Sequence, residues 1–218
     1  DIDKLYVLKG NDRPCDINLY VPFFTRLGIE VEILSPSQIS ASSFVSSCKY
    51  GVINEFNQME MYVLNDDVLK MIASSSTLND MRSIFLIHDK RFLAVLSDNH
   101  FLNECLSPEE VSYLRPFLIP TFSPEQSPEI WEEAWRNKNG WVLKHCLLGK
   151  SEKVYAGCKC TNEEWQDLFD PSVKKMMVLQ PFIRQQQIAS SIKSEEYNDF
   201  VVGTLLCFDD RFFGTGIF

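Results

Sequence analysis

The chain has 218 residues, of which 45% are hydrophobic and 12% aromatic, and it carries a formal net charge of -9 at pH 7. A chain of this size and composition can bury a large core, in one elongated domain or in two small ones. The acidic balance argues against nucleic-acid binding driven by phosphate neutralisation, because there is no excess of Lys and Arg. Apolar runs such as "SIFLIH" and "FVVGTLLCF" are far shorter than the roughly 18 residues that a membrane-spanning helix needs. We therefore expect neither nucleic acid nor a membrane as a partner.

The seven cysteines are odd in number, scattered, and mostly placed inside apolar segments. This pattern is typical of reduced thiols rather than of a disulfide framework. The first residues, "DIDKLYVLKG", lack the charged and apolar regions of a signal peptide. The sequence therefore predicts a cytoplasmic protein. The "CKC" run at 158–160 lacks the two-residue spacer and the second cysteine pair of a zinc site, so no metal is predicted there.

The first 88 residues alternate between strand-like and helix-like segments. The run "KLYVLKG" predicts a buried strand, "CDINLYVPFFTRLG" predicts a helix that contains Pro22 and stops at Gly28, and "IEVEIL" predicts a strand. Two more strands are predicted at "YGVINEF" (50–56) and "RSIFLIH" (82–88), on either side of a helix around "DDVLKMIASSS". Strands that alternate with helices over short connections favour parallel pairing. The predicted fold of residues 1–88 is a small, open, parallel α/β layer.

From residue 91 onward the pattern changes to helices and antiparallel strands. Residues 91–115 are predicted to be helical, and "SPEE" (107–110) and "SPE" (127–129) are typical helix starts. The segments "WVLKHC", "KVYAG" and "MMVLQPFI" predict three strands, and "TNEEWQDLF" predicts a helix capped by Thr161. The tail "NDFVVGTLLCFDDRFFGTGIF" predicts a hairpin that turns at Asp209-Asp210. This second part is predicted to be α+β.

The stretch "WVLKHCLLGKSEKVYAG" is the first candidate for chemistry. A strand ends near Lys144, a loop carries Gly149 and Lys150, and a second strand returns. Two ammonium groups and a loop of free backbone N–H groups suit a polyphosphate. The same stretch is compatible with an ordinary hairpin whose lysines are solvated. It is not a P-loop, because the G-x-x-x-x-G-K-[ST] spacing and the following helix are absent, and no G-x-G-x-x-G opens a helix.

The stretch "VLQPFI" (178–183) is the second candidate. The side chain of Gln180 could hydrogen-bond an amino group, and the backbone around Phe182 could meet the edge of an adenine. A core strand with a polar residue at its end is the alternative interpretation.

Taken in chain order, these segments resemble the ATP-grasp superfamily, whose members are mostly carboxylate–amine or carboxylate–thiol ligases. The resemblance lies in five motifs: "HDKR" (88–91), "LIPTF" (118–122), "WVLK" (141–144), "LLGK" (147–150) and "VLQPFI" (178–183). In addition, "DINLYVPFFTRLGIEVEIL" and "YGVINEF" are similar to the Rossmann-like layer that precedes the grasp domain in glutathionylspermidine-synthase-like ligases. The resemblance thus covers almost the whole chain.

The resemblance implies a fold that is α/β and then α+β, a Rossmann-like parallel layer followed by an incomplete ATP-grasp domain with antiparallel strands. The pre-ATP-grasp domain would span residues 1–88, and connecting helices would span 89–121. The nucleotide-binding subdomain would span 122–183. Residues 184–218 would begin a second, truncated subdomain.

The resemblance also assigns roles to residues of this chain. Lys90 would lie near the nucleotide phosphates, Lys144 would contact the α- and β-phosphates, and the loop with Gly149 and Lys150 would close over the triphosphate. The adenine would be read by a hinge made of Gln180, Phe182 and Ile183. Catalytic residues and metal ligands stay unassigned, because the family's metal-binding acids and catalytic arginine are expected beyond Phe218.

The implied activity is that of an ATP- and Mg²⁺-dependent ligase, which joins a small carboxylate to an amine through an acylphosphate. The chain differs from the family pattern in two ways: its loop has one glycine, and Gln180 stands where many members carry an acid. Two alternatives therefore stay open. One is a nucleotide-binding relative without catalysis, and the other is an α/β interaction module whose apolar surface pairs with another chain, in an oligomer for example.

Overall fold

The structure, a computed structural model, describes seven ranges of the chain: 2–11, 17–40, 49–149, 151–192, 195–200, 203–208 and 211–217. The chain divides into two compact units, Asp1–Pro181 (unit 1) and Phe182–Phe218 (unit 2). Within the described ranges, no helix is long and apolar enough to cross a membrane.

Unit 1 contains a parallel sheet, an antiparallel sheet and helices. Its strands are β1 (Lys4–Lys9), β2 (Glu30–Leu34), β3 (Tyr50–Glu55), β4 (Thr77–Leu78), β5 (Trp141–His145), β6 (Val154–Ala156) and β7 (Met177–Pro181). Its helices are α1 (Ile17–Arg26), α2 (Gln58–Tyr62), α3 (Asp66–Ser74), α4 (Arg91–Leu96), α5 (Asn99–Cys105), α6 (Pro108–Leu114), α7 (Pro128–Arg136), α8 (Asn162–Asp167) and α9 (Pro171–Lys174). A π-helical turn covers Ser83–Ile87, and 3-10 turns cover Arg115–Phe117, Lys138–Gly140 and Gly157–Lys159.

The parallel sheet has the strand order β2-β1-β3-β4, and each neighbouring pair is parallel. The central strand β1 is buried on both faces, because Tyr6 and Leu8 belong to one core cluster while Leu5 and Val7 belong to another. Burial on both faces explains why this strand is a continuous apolar run rather than an alternating one. The predicted parallel α/β layer is confirmed.

Helix α1 ends as its sequence predicts. The N–H of Gly28 donates to Thr25 O and the N–H of Ile29 donates to Phe24 O, both at 3.0 Å, which is the Schellman pattern of a helix C-terminus. Gly28 has a φ of +78°, a conformation that costs little only for glycine. Pro22 lies inside this helix, and the predicted first residues of the helix, Cys15 and Asp16, fall outside the described ranges.

The prediction of a strand at 82–88 is wrong. Residues Ser83–Ile87 form a π-helical turn, closed by a 2.9 Å bond from His88 N to Ser83 O. Ile84 is fully buried, whereas Ile87 is 60% exposed, so the apolar run covers only one side of a turn. A short apolar run does not distinguish a buried strand from a helical segment. The fourth position of the sheet is taken by the two-residue strand β4 instead.

The antiparallel sheet has the strand order β6-β5-β7. Leu143 of β5 lies opposite Tyr155 of β6 and Leu179 of β7, so the three side chains share one face of the sheet. Helices α7 and α8 cover that face, where Trp131 and Trp165 join Leu143 and Leu179 in one core cluster. The predicted antiparallel arrangement of "WVLKHC", "KVYAG" and "MMVLQPFI" is confirmed.

The predicted helix starts differ in whether the side chain of the N-cap residue makes a hydrogen bond. Ser107 and Thr161 each form a capping box at the start of a helix, with Glu110 and Glu164 respectively. Helix α7 begins at Pro128 as predicted, but the side chain of Ser127 makes no cap hydrogen bond. The helical stretch predicted at 91–115 is divided into the helices α4, α5 and α6.

Unit 2 consists of hairpins in its described ranges. Strand β8 (Ile188–Ile192) pairs with β9 (Glu195–Asp199), and β10 (Gly203–Phe208) pairs with β11 (Arg211–Ile217), both antiparallel. The predicted tail hairpin is confirmed. Its predicted turn residues, Asp209 and Asp210, lie outside the described ranges.

Candidate functional site

The antiparallel sheet of unit 1 presents a second face, opposite the helices. On β5 and β7, Lys144 lies opposite Val178 and Val142 lies opposite Gln180. Because side chains alternate along a strand, these residues point away from the face that holds Leu143. Lys144 and Gln180 are diagonal neighbours on one face, a relationship that places Cα atoms about 7–8 Å apart.

Lys144 is a partly buried lysine without a counter-charge in the described part of the chain. Its side chain makes no hydrogen bond and no ion pair there, and burial lowers its pKa because the ammonium loses water. An unpaired ammonium that is partly removed from water is costly. An anion bound beside Lys144 would therefore compensate the cost of holding this ammonium partly out of water.

Lys90 lies beside the same strand end. Its backbone N–H donates to Cys146 O at 2.9 Å, and its Nζ donates to Leu148 O in the loop that follows β5. Burial lowers the pKa of Lys90, and the charge of Lys144 lowers it further, while Cys146 and Asp89 act in the opposite direction. This effect of Lys144 on the pKa of Lys90 places the two lysines, 54 residues apart in sequence, in the same region of the molecule.

An ion pair between the half-exposed Arg91 and the buried carboxylate of Asp89 fixes the turn that carries Lys90. Asp89 is only 7% exposed and accepts hydrogen bonds from Arg91 N at 2.9 Å and from Arg91 Nε at 3.0 Å. This bonding to the Asp89 carboxylate raises the pKa of Arg91. The carboxylate of Asp89 is thus neutralised by Arg91 in the same turn and does not pair with Lys90. Arg91 was not predicted as a site residue, although its position two residues after an aspartate permits this pairing.

Gln180 is connected to a segment 59 residues earlier. It is 4% exposed, and its Nε2 donates to Thr121 Oγ1 at 2.8 Å. Next to this pair, Phe122 and Leu179 exchange backbone hydrogen bonds of 2.9 and 3.0 Å, which adds the segment around Phe122 to the edge of β7. The structure therefore brings the "LIPTF" and "VLQPFI" motifs together through a buried polar pair. Thr121 was not predicted as a site residue.

The loop between β5 and β6 is only partly described. Gly149 is exposed and has no atom within 4 Å of the position of a Cβ, and its carbonyl accepts a 2.9 Å bond from Glu152 N. Ser151 and Lys153 have φ values of +62° and +48°, a left-handed conformation that is unusual for residues with side chains. Lys150 lies outside the described residues.

The remaining residues of the predicted hinge belong to the other unit. Phe182 and Ile183 directly follow β7 in the chain, and Ile183 is 57% exposed. Thus Lys90 and Lys144 lie near the end of β5 that leads into the loop with Gly149, and Gln180 lies on the neighbouring strand β7 of unit 1. Phe182 and Ile183 lie in unit 2.

Metal ligands are not evident in the described ranges. No group of three or more His, Cys, Asp or Glu side chains there could hold a metal ion. Cys158 and Cys160 of the "CKC" run are free thiols. The chemistry that the described residues can provide is cationic: two ammonium groups at the end of a strand and a loop beside them.

Comparison with solved structures identifies the fold. The D-cycloserine synthetase DcsG aligns with 83% of this chain and 59% of its own, at 16% identity and a TM-score of 0.51. The chain has an ATP-grasp fold. It also aligns, at 13% identity and a TM-score of 0.47, with a RimK domain ATP-grasp protein from Sphaerobacter thermophilus DSM 20745, covering 86% of this chain and 69% of that one. No protein-family model matches the sequence, and no curated protein matches it significantly.

The ATP-grasp fold accounts for both parts of unit 1, a parallel layer followed by an antiparallel sheet with helices. At 16% identity the likeness concerns the fold, and the chain spans 59% of the length of the synthetase. The chemistry of the site must therefore be argued from its own residues.

The pair Gln180–Thr121 can be tested with a double-mutant cycle. Thr121→Val keeps the shape of the side chain but leaves the buried Nε2 of Gln180 without its acceptor, which is expected to lower the free energy of unfolding by about 1–3 kcal/mol. Adding Gln180→Leu removes the unpaired amide, so the double variant is expected to lose less than the sum of the two single variants. Chemical denaturation of the four proteins measures the difference. Strictly additive losses would contradict the pairing.

Proposed function

We propose that this chain binds the phosphates of ATP at Lys144 and Lys90 and that the protein is an ATP-dependent carboxylate–amine ligase. The observation that carries the proposal is the position of two lysines at the end of β5: Lys90 is bonded to Cys146 and Leu148, and the partly buried Lys144 has no hydrogen-bond or ion-pair partner in the described ranges. A polyphosphate supplies the negative charge that this site lacks. Lysine is a compact cation that suits such contacts.

In the proposed reaction, a carboxylate oxygen of the substrate attacks the γ-phosphorus of ATP, and the bond from that phosphorus to the bridging oxygen of ADP breaks. The resulting acylphosphate is attacked at its carbonyl carbon by an amine. An amide forms, phosphate leaves, and the amine loses a proton. No side chain of the protein needs to act as a nucleophile, so catalysis consists of positioning and charge neutralisation.

The candidate site residues would have different parts in this scheme. Lys144 would neutralise the α- and β-phosphates, and Lys90 would exchange the carbonyl of Leu148 for a phosphate oxygen. The loop with Gly149 and Lys150 would cover the triphosphate. Since the Nε2 of Gln180 already donates to Thr121, we propose that adenine is read through other atoms of the hinge, the backbone of Phe182 and Ile183 among them.

Mg²⁺ would supply further neutralisation of the phosphates. The described residues do not form a metal site by themselves, so the contributions above are those of the lysines alone. The substrates would be a small carboxylate and an amine.

Lys144→Ala is expected to weaken the binding of Mg²⁺-ATP by about 1.5–3 kcal/mol, the range of a charge-assisted hydrogen bond. Lys159→Ala is the matched control, because Lys159 is exposed in the 3-10 turn after β6 and is not part of the lysine pair. Titration calorimetry measures both. Equal affinity of Lys144→Ala and wild type would refute the assignment, and an equal loss in both variants would show only a general charge effect.

Nucleotide binding is also expected to take up protons at alkaline pH. Burial lowers the pKa of Lys144. At alkaline pH, Lys144 is therefore neutral in a fraction of the free protein molecules. A bound phosphate stabilises the ammonium and raises that pKa again, which requires a proton from solution. Calorimetry in two buffers of different ionisation enthalpy measures the uptake, and Lys144→Ala should reduce it. Proton release, or an unchanged uptake in the variant, would contradict the proposed contact.

The ligase activity itself is tested by incubating the full-length protein with ATP, Mg²⁺ and candidate carboxylates and amines. The expected result is release of ADP and phosphate that depends on both substrates. Production of AMP and pyrophosphate instead would exclude the acylphosphate route. Tight ATP binding without turnover would favour the non-catalytic nucleotide-binding relative.

A further inference from the structure

A cavity with a volume of about 420 Å³ lies on the helix-covered side of the antiparallel sheet. Its apolar wall includes Leu168, Val173 and Met177. Met177 is paired with His145 across β5 and β7, one register position away from the pair of Lys144 and Val178. The cavity is therefore on the opposite face of the sheet from Lys144 and is distinct from the proposed phosphate site.

The cavity is lined by two side chains of opposite charge that form no ion pair in the described part of the protein. Lys153 and Asp167 both line it and are both exposed. Neither forms an ion pair with the other or with any other side chain in the described part of the protein. A single ammonium would suggest an anionic ligand, and a single carboxylate would suggest a cationic one. The presence of both favours a ligand that carries both charges.

His145 adds a hydrogen-bond donor beside Lys153. Its Nδ1 accepts a 3.2 Å hydrogen bond from Leu147 N, so the proton of the neutral ring resides on Nε2. Burial, together with the charges of Lys153 and Lys90, lowers the pKa of His145 and keeps the ring neutral near pH 7. A neutral Nε2–H and an ammonium on one side of the cavity can together bind a carboxylate.

We propose that this cavity binds a small zwitterion with an apolar side chain, an α-amino acid of the leucine or methionine type. The carboxylate of the ligand would contact Lys153 and His145, its ammonium would contact Asp167, and its side chain would pack on Leu168, Val173 and Met177. A volume of about 420 Å³ is at the small end of ligand pockets, which suits a molecule of this size.

The test is a calorimetric or ligand-observed NMR titration of the protein without nucleotide, so its result does not depend on the proposed ligase function. L-leucine and L-methionine are the probes, and 3-methylbutylamine and 4-methylpentanoate, which each lack one charged group of leucine, are the controls. The expected result is saturable binding of the amino acids and at least tenfold weaker binding of both controls. Binding of either control as tightly as leucine, or no saturable binding of the amino acids at millimolar concentration, would overturn the proposal.

Three variants locate the binding in the cavity. Lys153→Gln and Asp167→Asn each remove one charge from an exposed position and are expected to weaken leucine binding about tenfold or more, the size of one charge-assisted hydrogen bond. Glu163→Gln is the matched control, because Glu163 lies on the same helix as Asp167 but does not line the cavity. Val173→Phe fills the apolar part and is expected to abolish binding without changing any charge. Unchanged affinity in Lys153→Gln and Asp167→Asn, with folding verified by circular dichroism, would assign the ligand to another place.

Discussion

The position of β5 between β6 and β7 is the constraint on which both proposed sites depend. Backbone pairing on both sides fixes the register of this strand, and a slip of one residue would exchange its two faces. In the observed register Leu143 is fully buried in the core with Trp131 and Trp165. Lys144 is thereby forced onto the opposite face. The burial of one leucine thus determines where the lysine points.

Contacts from distant segments complete the strand end. The backbone of Lys90 is bonded to Cys146, directly after β5, and its ammonium is bonded to Leu148. The pair of Asp89 and Arg91 holds this turn and neutralises the carboxylate that would otherwise attract the ammonium of Lys90. Lys144 and Lys90 consequently share a region of excess positive charge in a chain whose net charge is -9. Overall charge therefore says little about the ligand of this site.

The sequence predicts the elements well where periodicity and caps agree. The continuous apolar run of β1 and the glycine that ends α1 at Gly28 each have one physical interpretation, and the structure confirms both. The run at 82–88 has two interpretations, because a buried strand and one side of a helical turn contain the same residue types. For the site, the strand-end position of Lys144 could be predicted. The pairing of Gln180 with Thr121 could not, because it joins segments 59 residues apart.

The hairpin of β5 and β6 contributes residues to both faces of the sheet, the one with Lys144 and the one with the cavity. His145 and Lys153 line the cavity, and the bond from His145 N to Lys153 O, at 3.1 Å, closes the loop that carries Gly149. Lys153 also has a left-handed backbone conformation, which its neighbours must maintain at a cost. A molecule that moves the side chain of either residue therefore acts on the pair that closes the loop. Lys144 precedes His145 on the same strand, and Lys90 is bonded within the same loop through Leu148. The loop and β5 are thus shared by the two lysines and the cavity, and they provide a route for energetic coupling between the two proposed sites.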